Sequence, residues 1–347
     1  MISKRYLFYV CQNYSFAILR PLQKAILKRG DQVLWFLYGN EVSYDYLAED
    51  EQNIVNIDDV ISYDPHAVFV PGNVVPQFLP GLKIALFHGF NSGKLNRRGV
   101  EDHFNIRGCF DLYCTQGPNT TTQFQQLAEK HQHFMVKETG WPTLDPLFQE
   151  KSVEPNNIPT VLMCSTFSRN LTCAPILFET IKKLSVSGKW RWIIQFHPKM
   201  AKDIVQQYKS IENEYLTFVE TDNVIPLLQE ADVMVCDTSS VLIMFLLQGK
   251  PVVTFNNVSP KDYMLDISKP ELLEKTIETA LSYPKTLMLK INKFIKETHP
   301  NQDGNSSERV LDQVEIMING QERSVKQKPL NIIRSYKMRK DLNYWKL

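Results

Sequence analysis

Two histidines close apolar, strand-like runs in this chain, and each is followed by residues that shape the next turn. His88-Gly89 follows residues 83–87, and His197-Pro198-Lys199 follows the run WRWIIQF. An imidazole titrates near neutral pH, so a histidine at a strand end can move a proton; Gly89 permits close approach, and Lys199 can place positive charge beside a phosphate. A third cluster, Asp237-Thr238-Ser239-Ser240, lies between the apolar runs VMVC and VLIMFLL. These residue types favour helix N-termini, where free N–H groups and the positive dipole end suit a phosphate. Each cluster also has a plainer reading: a histidine bonded to a loop carbonyl, a hydroxyl that only caps a helix, a surface lysine. Two histidines at two strand ends, one in each half of the chain, argue against coincidence.

Such side chains need a scaffold, and the sequence implies one. Residues 233–255 read as a buried strand, a loop, a buried helix and a second strand, one βαβ unit. Further strands are expected at 6–10, 33–38, 67–70, 84–87 and 112–114, then at 161–164, 192–196 and 216–219. Helical patterns fall near 16–28, 120–131, 174–185, 202–210 and 225–230, and continue to about 318. Strands alternating with helices imply parallel sheets covered on both faces. At 347 residues the chain exceeds what one core usually holds. The expected class is therefore α/β, with two Rossmann-like doubly wound domains, 1–147 and 158–320, facing a central cleft where such sheets bind ligands. The proline-bearing segment 146–159 reads as the linker between them. Thr139 to Asp145 reads as a mainly architectural turn, and Ser306, in the loop from His299, as a helix N-cap.

Composition narrows the function. With 39 Lys+Arg against 38 Asp+Glu the chain lacks the basic surplus of most nucleic-acid binders, so no nucleic-acid partner is expected. The six cysteines are scattered, mostly in apolar runs, and read as buried thiols with no metal site. The first residues, MISKRYLFYVCQNY, carry too short an apolar run for a signal peptide, and no run approaches a membrane span. A cytoplasmic location is expected.

Taken in order, several short motifs resemble the CDP-glycerol glycerophosphotransferase family, which builds teichoic acids and related polyol-phosphate polymers of bacterial envelopes. They are HG at His88, GxPxxD from Gly140 to Asp145, STF from Ser165 to Phe167, HPK at His197, DTSS at Asp237 with GKP at Gly249, and DGxSSxRV from Asp303 to Val310. The resemblance implies the glycosyltransferase B-type fold, with no bound metal or other cofactor and a nucleotide-activated donor such as CDP-glycerol as substrate. It implies His88 as the base that deprotonates an acceptor hydroxyl. It also implies His197, Lys199, Thr238, Ser239 and Ser240 around the donor pyrophosphate, with Gly89, Ser165, Thr166, Asp237, Asp303 and Ser306 in supporting places. The acceptor would be an envelope polymer or a lipid-linked saccharide. The chain departs from the family pattern at Met244, where members often carry an acid, at Gln195 before the HP pair, and at Phe90-Asn91 after HG.

The tail, 321–347, holds eight Lys or Arg against Glu322 and Asp341, with Ile332, Ile333, Tyr336, Tyr344 and Trp345 interleaved. Such a segment suits the anionic inner face of a membrane; a solvated tail, or a helix packed on the domains, is the plainer reading. Two other functions share this fold: glycosyl transfer or epimerisation of a nucleotide sugar, and nucleotide binding without turnover.

Overall fold

The structure is a computed structural model that describes residues 3–90, 101–149, 158–221, 223–239, 241–321 and 325–346. The chain forms two compact units, the first from Met1–Pro146 with Thr298–Leu347 and the second from Leu147–Glu297.

In the first unit the elements are β1 (Arg5–Val10), α1 (Ser15–Lys28), β2 (Gln32–Leu37), β3 (Asn53–Ile54), α2 (Ile57–Tyr63), β4 (Ala67–Val70), β5 (Leu82–Ala85), β6 (Leu112–Thr115), α3 (Pro118–His131), β7 (Met135–Glu138) and α4 (Asp145–Phe148). The sheet runs β3-β2-β1-β4-β5-β6-β7 and every pairing is parallel. Strands buried on both faces read as continuous apolar runs, which is why RYLFYV and QVLWFL were legible as strands. One face packs Phe16, Leu19 and Ile26 of α1 on Phe8 and Trp35; the other packs Val60 of α2 and Phe124 of α3 on Tyr9 and Tyr113.

The second unit holds β8 (Thr160–Ser165), α5 (Ala174–Ser185), β9 (Arg191–Phe196), α6 (Lys202–Lys209), β10 (Leu216–Phe218), α7 (Ile225–Glu230), β11 (Val233–Cys236), α8 (Val241–Leu246), β12 (Val252–Phe255), β13 (Leu265–Ile267), α9 (Leu273–Leu281) and α10 (Lys285–Thr298). Its sheet is also parallel throughout, in the order β10-β9-β8-β11-β12-β13. Leu177, Ile181 and Leu184 recur at helical spacing on α5 and enter the core with Trp192, Val233 and Val253.

The last two helices, α11 (Ser306–Ile318) and α12 (Ile332–Asp341), belong to the first unit. The second unit therefore ends at Glu297, not at the expected 320. The cause is the apolar face of α11: Val310, Leu311 and Val314 are fully buried among Phe8, Leu19 and Ile84. Ion pairs hold the outer side of α11, Lys4 with Glu315 and Arg29 with Asp312, each at 2.6 Å. The expected linker is described only up to residue 149 and from 158 onward, and its first residues close α4.

All six cysteines are free thiols and five are buried, as their apolar settings implied. Among the described residues no helix is long and apolar enough to cross a membrane.

Candidate functional site

His88 stands three residues beyond β5 and is exposed. The preceding residue, Phe87, has a left-handed backbone at φ 60°, a conformation a bulky side chain adopts only when its surroundings impose it. Here the Phe87 ring is wedged between His103 and Phe124, each at 5.1 Å. That forced turn lifts His88 out of the strand line. Its Nδ1 lies 3.2 Å from the carbonyl oxygen of Pro71, just after β4, and its ring stacks on Tyr14, just after β1, at 5.3 Å. The imidazole thus sits over the carboxyl ends of β1, β4 and β5, where the strand order reverses.

The Pro71 contact fixes the tautomer. A carbonyl oxygen only accepts, so Nδ1 carries the proton and Nε2 presents a lone pair. Gln116 Nε2 donates to the Gly89 carbonyl at 3.1 Å, and Phe90 meets Trp141 edge-on at 5.3 Å, so the described part of the loop is held from two further sides. Beside it a recess opens at the ends of β4, β5 and β6, lined by Gly72, Asn73, Phe87, His103, Arg107 and Tyr113. Burial, with His88 nearby, pushes the His103 imidazole down to about 4, so it stays neutral there.

Behind that loop two motifs prove to be one joint. Asp145 is buried, and its carboxylate accepts the backbone N–H groups of Ser306 at 2.7 Å and Ser307 at 2.8 Å. Ser306 is therefore the first residue of α11 and not its cap; the cap comes from Asp145, 161 positions earlier. Burial raises the Asp145 carboxyl, and the two serines partly offset this. Asp303 is taken up by Arg309, at 2.8 and 2.9 Å, which holds its carboxyl down at about 2. Gly140 adopts φ 80°, and a Cβ there would meet Ser306 Oγ at 2.4 Å, so this turn admits only glycine. Asp303 and Ser306 thus brace the first unit and bring no functional group to His88.

His299 belongs to the same joint. It is fully buried and accepts the Trp141 N–H on Nε2 at 2.9 Å. Burial, then the nearby Arg309, pushes it down to about 4. The unfolded chain takes up a proton near pH 6.5 and the folded chain only near 4, so stability falls as pH drops through that window. About 2 kcal/mol should disappear between pH 7 and pH 5, read as a lower denaturant midpoint. His299→Gln should flatten that slope, and a variant with the wild-type slope would show that other groups carry it.

In the second unit His197 follows β9 and is exposed. Its Nδ1 accepts the backbone N–H of Lys199 at 3.0 Å, so the proton of the neutral ring sits on Nε2, the reverse of His88. Partial burial, then the Lys199 charge, lowers its pKa, which favours that neutral donor form. Phe167 packs on the imidazole at 4.5 Å, with the Lys199 ammonium 5.9 Å from the Phe167 ring centre.

Asp237, expected in a supporting place, is fully buried and its side chain turns back to the end of β8. It accepts from Ser165 Oγ at 2.5 Å, from the Thr166 N–H at 3.1 Å and from the Cys173 N–H at 3.1 Å. Ser165 and Thr166 are accordingly spent on this bracket, which closes the loop that carries Phe167. Burial, with Asp237 beside it, pushes the Cys164 thiol up to about 12, so it stays protonated. Thr238 Oγ1 accepts the Val258 N–H at 3.2 Å. Ser239 is half-buried beside it, and Ser240 lies outside the described residues. Lys250, of the GKP motif, turns away: Nζ donates to the carbonyls of Leu228, Gln229 and Ala231 at 2.7–3.0 Å and closes the end of α7.

Among the described residues no cluster of His, Cys, Asp and Glu could hold a metal ion. Tyr14, the Pro71 carbonyl, His103 and Phe167 were missed as neighbours of the two histidines. The first two follow apolar strands as His88 does, a signal that becomes readable once the strand order is known.

The family model described as CDP-glycerol:poly(glycerophosphate) glycerophosphotransferase matches residues 101–263. No curated protein matches the chain. Among solved structures, the wall teichoic acid polymerase TagF is similar at 15% identity, covering 92% of this chain and 90% of that one, with TM-score 0.66. A variant of TagF soaked with CDPG is similar at 13% identity over the same shares, TM-score 0.63. The UDP-GlcNAc 2-epimerase from Neisseria meningitidis bound to UDP-GlcNAc is similar at 14%, covering 90% of this chain and all of that one, TM-score 0.58. At such identities the structures establish the fold, two parallel-sheet Rossmann-like units, as the motif order had implied. The family match spans both the HPK and DTSS motifs, so residues 101–263 are similar to the CDP-glycerol:poly(glycerophosphate) glycerophosphotransferases.

Proposed function

We propose that the chain moves glycerol phosphate, or a related polyol phosphate, from a CDP-activated donor to a hydroxyl of an envelope polymer or a lipid-linked saccharide, working at the inner face of a membrane. The observation that carries the assignment of roles is the pair of opposite tautomers. His88 offers a lone pair on Nε2 because its Nδ1–H is bound to Pro71; His197 offers an N–H on Nε2 because its Nδ1 is occupied by Lys199. A base and a hydrogen-bond donor are what this reaction needs.

The acceptor hydroxyl gives its proton to His88 Nε2 and attacks the phosphorus that bears the polyol. The bond from that phosphorus to the bridging oxygen breaks, and the electron pair leaves with CMP. His197 Nε2–H, the Lys199 ammonium and the hydroxyls of Thr238 and Ser239 would hold the pyrophosphate and spread the charge that develops on the leaving oxygen. Ser240 completes that set by the resemblance alone. The products are the extended phosphodiester and CMP, and no cofactor enters the balance.

Thermal denaturation against CDP-glycerol, CDP-ribitol, CMP, UDP and UDP-N-acetylhexosamines tests the donor class. A ligand at 100 times its Kd adds about 2.7 kcal/mol, a shift of several degrees for units of this size. Shifts with the cytidine nucleotides alone, and CMP release that requires an added hydroxyl acceptor, are expected. Shifts with the uridine nucleotides alone would replace this reading with nucleotide-sugar chemistry on the same fold. Binding of cytidine nucleotides without CMP release for any acceptor would leave a nucleotide binder.

A further inference from the structure

No step assigned to His88 uses the recess beside it, yet that recess has a defined chemistry. Its wall includes Phe87, whose forced turn sets His88, so a group seated there lies one residue from the base. Phe87 stacks face to face on His103 at 5.1 Å, and His103 Nε2 is buried with no hydrogen-bond partner among the described residues. A buried polar atom is rarely left unpaired in a working protein; water or a ligand usually meets it. The space that His103 helps to line, about 20 Å³ for the centre of a water-sized group, admits a hydroxyl or a hydroxymethyl group.

The polar lining is neutral. Asn73, Asn105 and Tyr113 contribute uncharged groups, and burial holds the His103 imidazole down at about 4, so it carries no charge near pH 7. Arg107 is the one charged residue of the described lining, and its charge is taken: Nη2 donates to the Asp102 carboxylate at 2.9 Å and Nη1 to the Asn105 carbonyl at 3.1 Å. A phosphate oxygen only accepts, and it would find no unpaired cation among the described residues of the wall. A hydroxyl both donates and accepts, so it satisfies His103 Nε2 in either tautomer.

The rims of the recess are fixed from outside. Gln77 Nε2 joins the two by donating to the Gly108 carbonyl at 2.8 Å. The tail then backs the rim formed by residues 105–110: Lys328 pairs with Asp111 at 2.7 Å, Asn331 Nδ2 donates to the Gly108 carbonyl at 3.1 Å, and Arg334 donates to the Arg107 carbonyl. Tyr344 is buried and stacks on Phe78 at 5.0 Å, behind the other rim. A recess held in this way is preorganised, so a ligand does not have to order it.

We infer that the recess is a specificity subsite for the acceptor: it seats a neutral hydroxyl or hydroxymethyl group next to the hydroxyl that His88 deprotonates, with His103 Nε2 and the Tyr113 hydroxyl as hydrogen-bond partners. A polyol end and a sugar ring both carry such a group. The inference rests on the proposed transfer for the nature of the acceptor, and it gives His103 and Tyr113 a part in choosing it.

Acceptor kinetics and the His103 imidazole spectrum test it on the full chain. His103→Phe and Tyr113→Phe keep the packed rings and remove one polar group each. Each should raise the acceptor KM about tenfold with kcat within about twofold of wild type, as expected when a hydrogen bond common to the ground and transition states is lost. An acceptor without the hydroxyl next to the reacting one should show that higher KM with the wild type, and neither variant should raise it further. The second arm needs no donor and no turnover. With isotope-labelled histidine rings, the His103 resonance, identified by its loss in His103→Phe or His103→Gln, is followed against glycerol, ribitol, a methyl hexoside and inorganic phosphate. It should move with the polyols or with the hexoside, which tells a polyol end from a saccharide, and not with phosphate. A chain that never releases CMP but gives this shift would sink the proposed transfer and keep the subsite. Movement with phosphate alone, no movement with any of the four, or variants that lose thermal stability at an unchanged acceptor KM would overturn the inference.

Discussion

His88→Ala should lower acceptor-dependent CMP release by about 10²–10⁴-fold, the usual worth of a positioned general base, while cytidine-nucleotide binding stays within about twofold of wild type. The split follows from where the side chain sits. His88 is exposed, and among the described residues it meets a backbone carbonyl and the face of Tyr14 and belongs to no core cluster, so its removal should not disturb the fold. Its Nε2 lone pair has a use only when a hydroxyl is to be deprotonated. His88→Gln sharpens the test: an amide can donate to Pro71 O as Nδ1–H does, but its oxygen is far too weak a base to take the proton. Gln should therefore be as slow as Ala. If Gln retained activity close to wild type, His88 would be a hydrogen-bond donor to substrate, and the base would have to be sought elsewhere. Should both variants turn over normally, the assignment of the His88 loop fails altogether.

The histidines were legible because the signal is local. An apolar run that stops at His-Gly or His-Pro-Lys marks a strand end, and in parallel sheets strand ends are where ligands bind. The two sheets followed from continuous apolar runs in the same way. What escaped was short, alternating or non-local. Strand β3 has two residues, and MVKE in β7 mixes charge with apolar side chains, so neither stands out as a run. Helix α11 shows its amphipathic period in the sequence, but nothing in the period tells which sheet receives it; the deciding partners, Lys4 and Arg29, lie some 280 to 310 positions upstream. The same limit applies to α12. Interleaved basic and apolar residues announce an amphipathic segment, but only the anchors at Asp111, Gly108 and Phe78 determine which stripe is left facing out.

Asp237, expected in a supporting place, supports an element that local reasoning did not name, and it carries the second large effect. An acid followed by Thr-Ser-Ser before an apolar run has the look of a helix cap, yet α8 has only six residues and Asp237 serves a different element. Its carboxylate, itself fully buried, collects a hydroxyl and two backbone N–H groups from residues 165, 166 and 173. Asp237→Ala strands these donors away from water. Since each orphaned buried donor costs about 1–3 kcal/mol and the costs do not simply add, a loss of about 3 kcal/mol or more is expected. For a unit of this size that lowers the thermal midpoint by roughly 6–12 °C. Asp237→Asn should fall between, because the amide oxygen still accepts from Ser165 while its NH₂ meets an N–H donor. The functional consequence runs through Phe167. The loop that Asp237 closes holds this ring against His197, so a loosened loop frees the imidazole from its packing, and donor binding should weaken in the same order, wild type before Asn before Ala. If Asp237 instead touched the donor itself, Asn would lose donor affinity at an unchanged thermal midpoint. Measuring the midpoint and the affinity on the same two variants separates a bracket that positions the site from a group that binds within it.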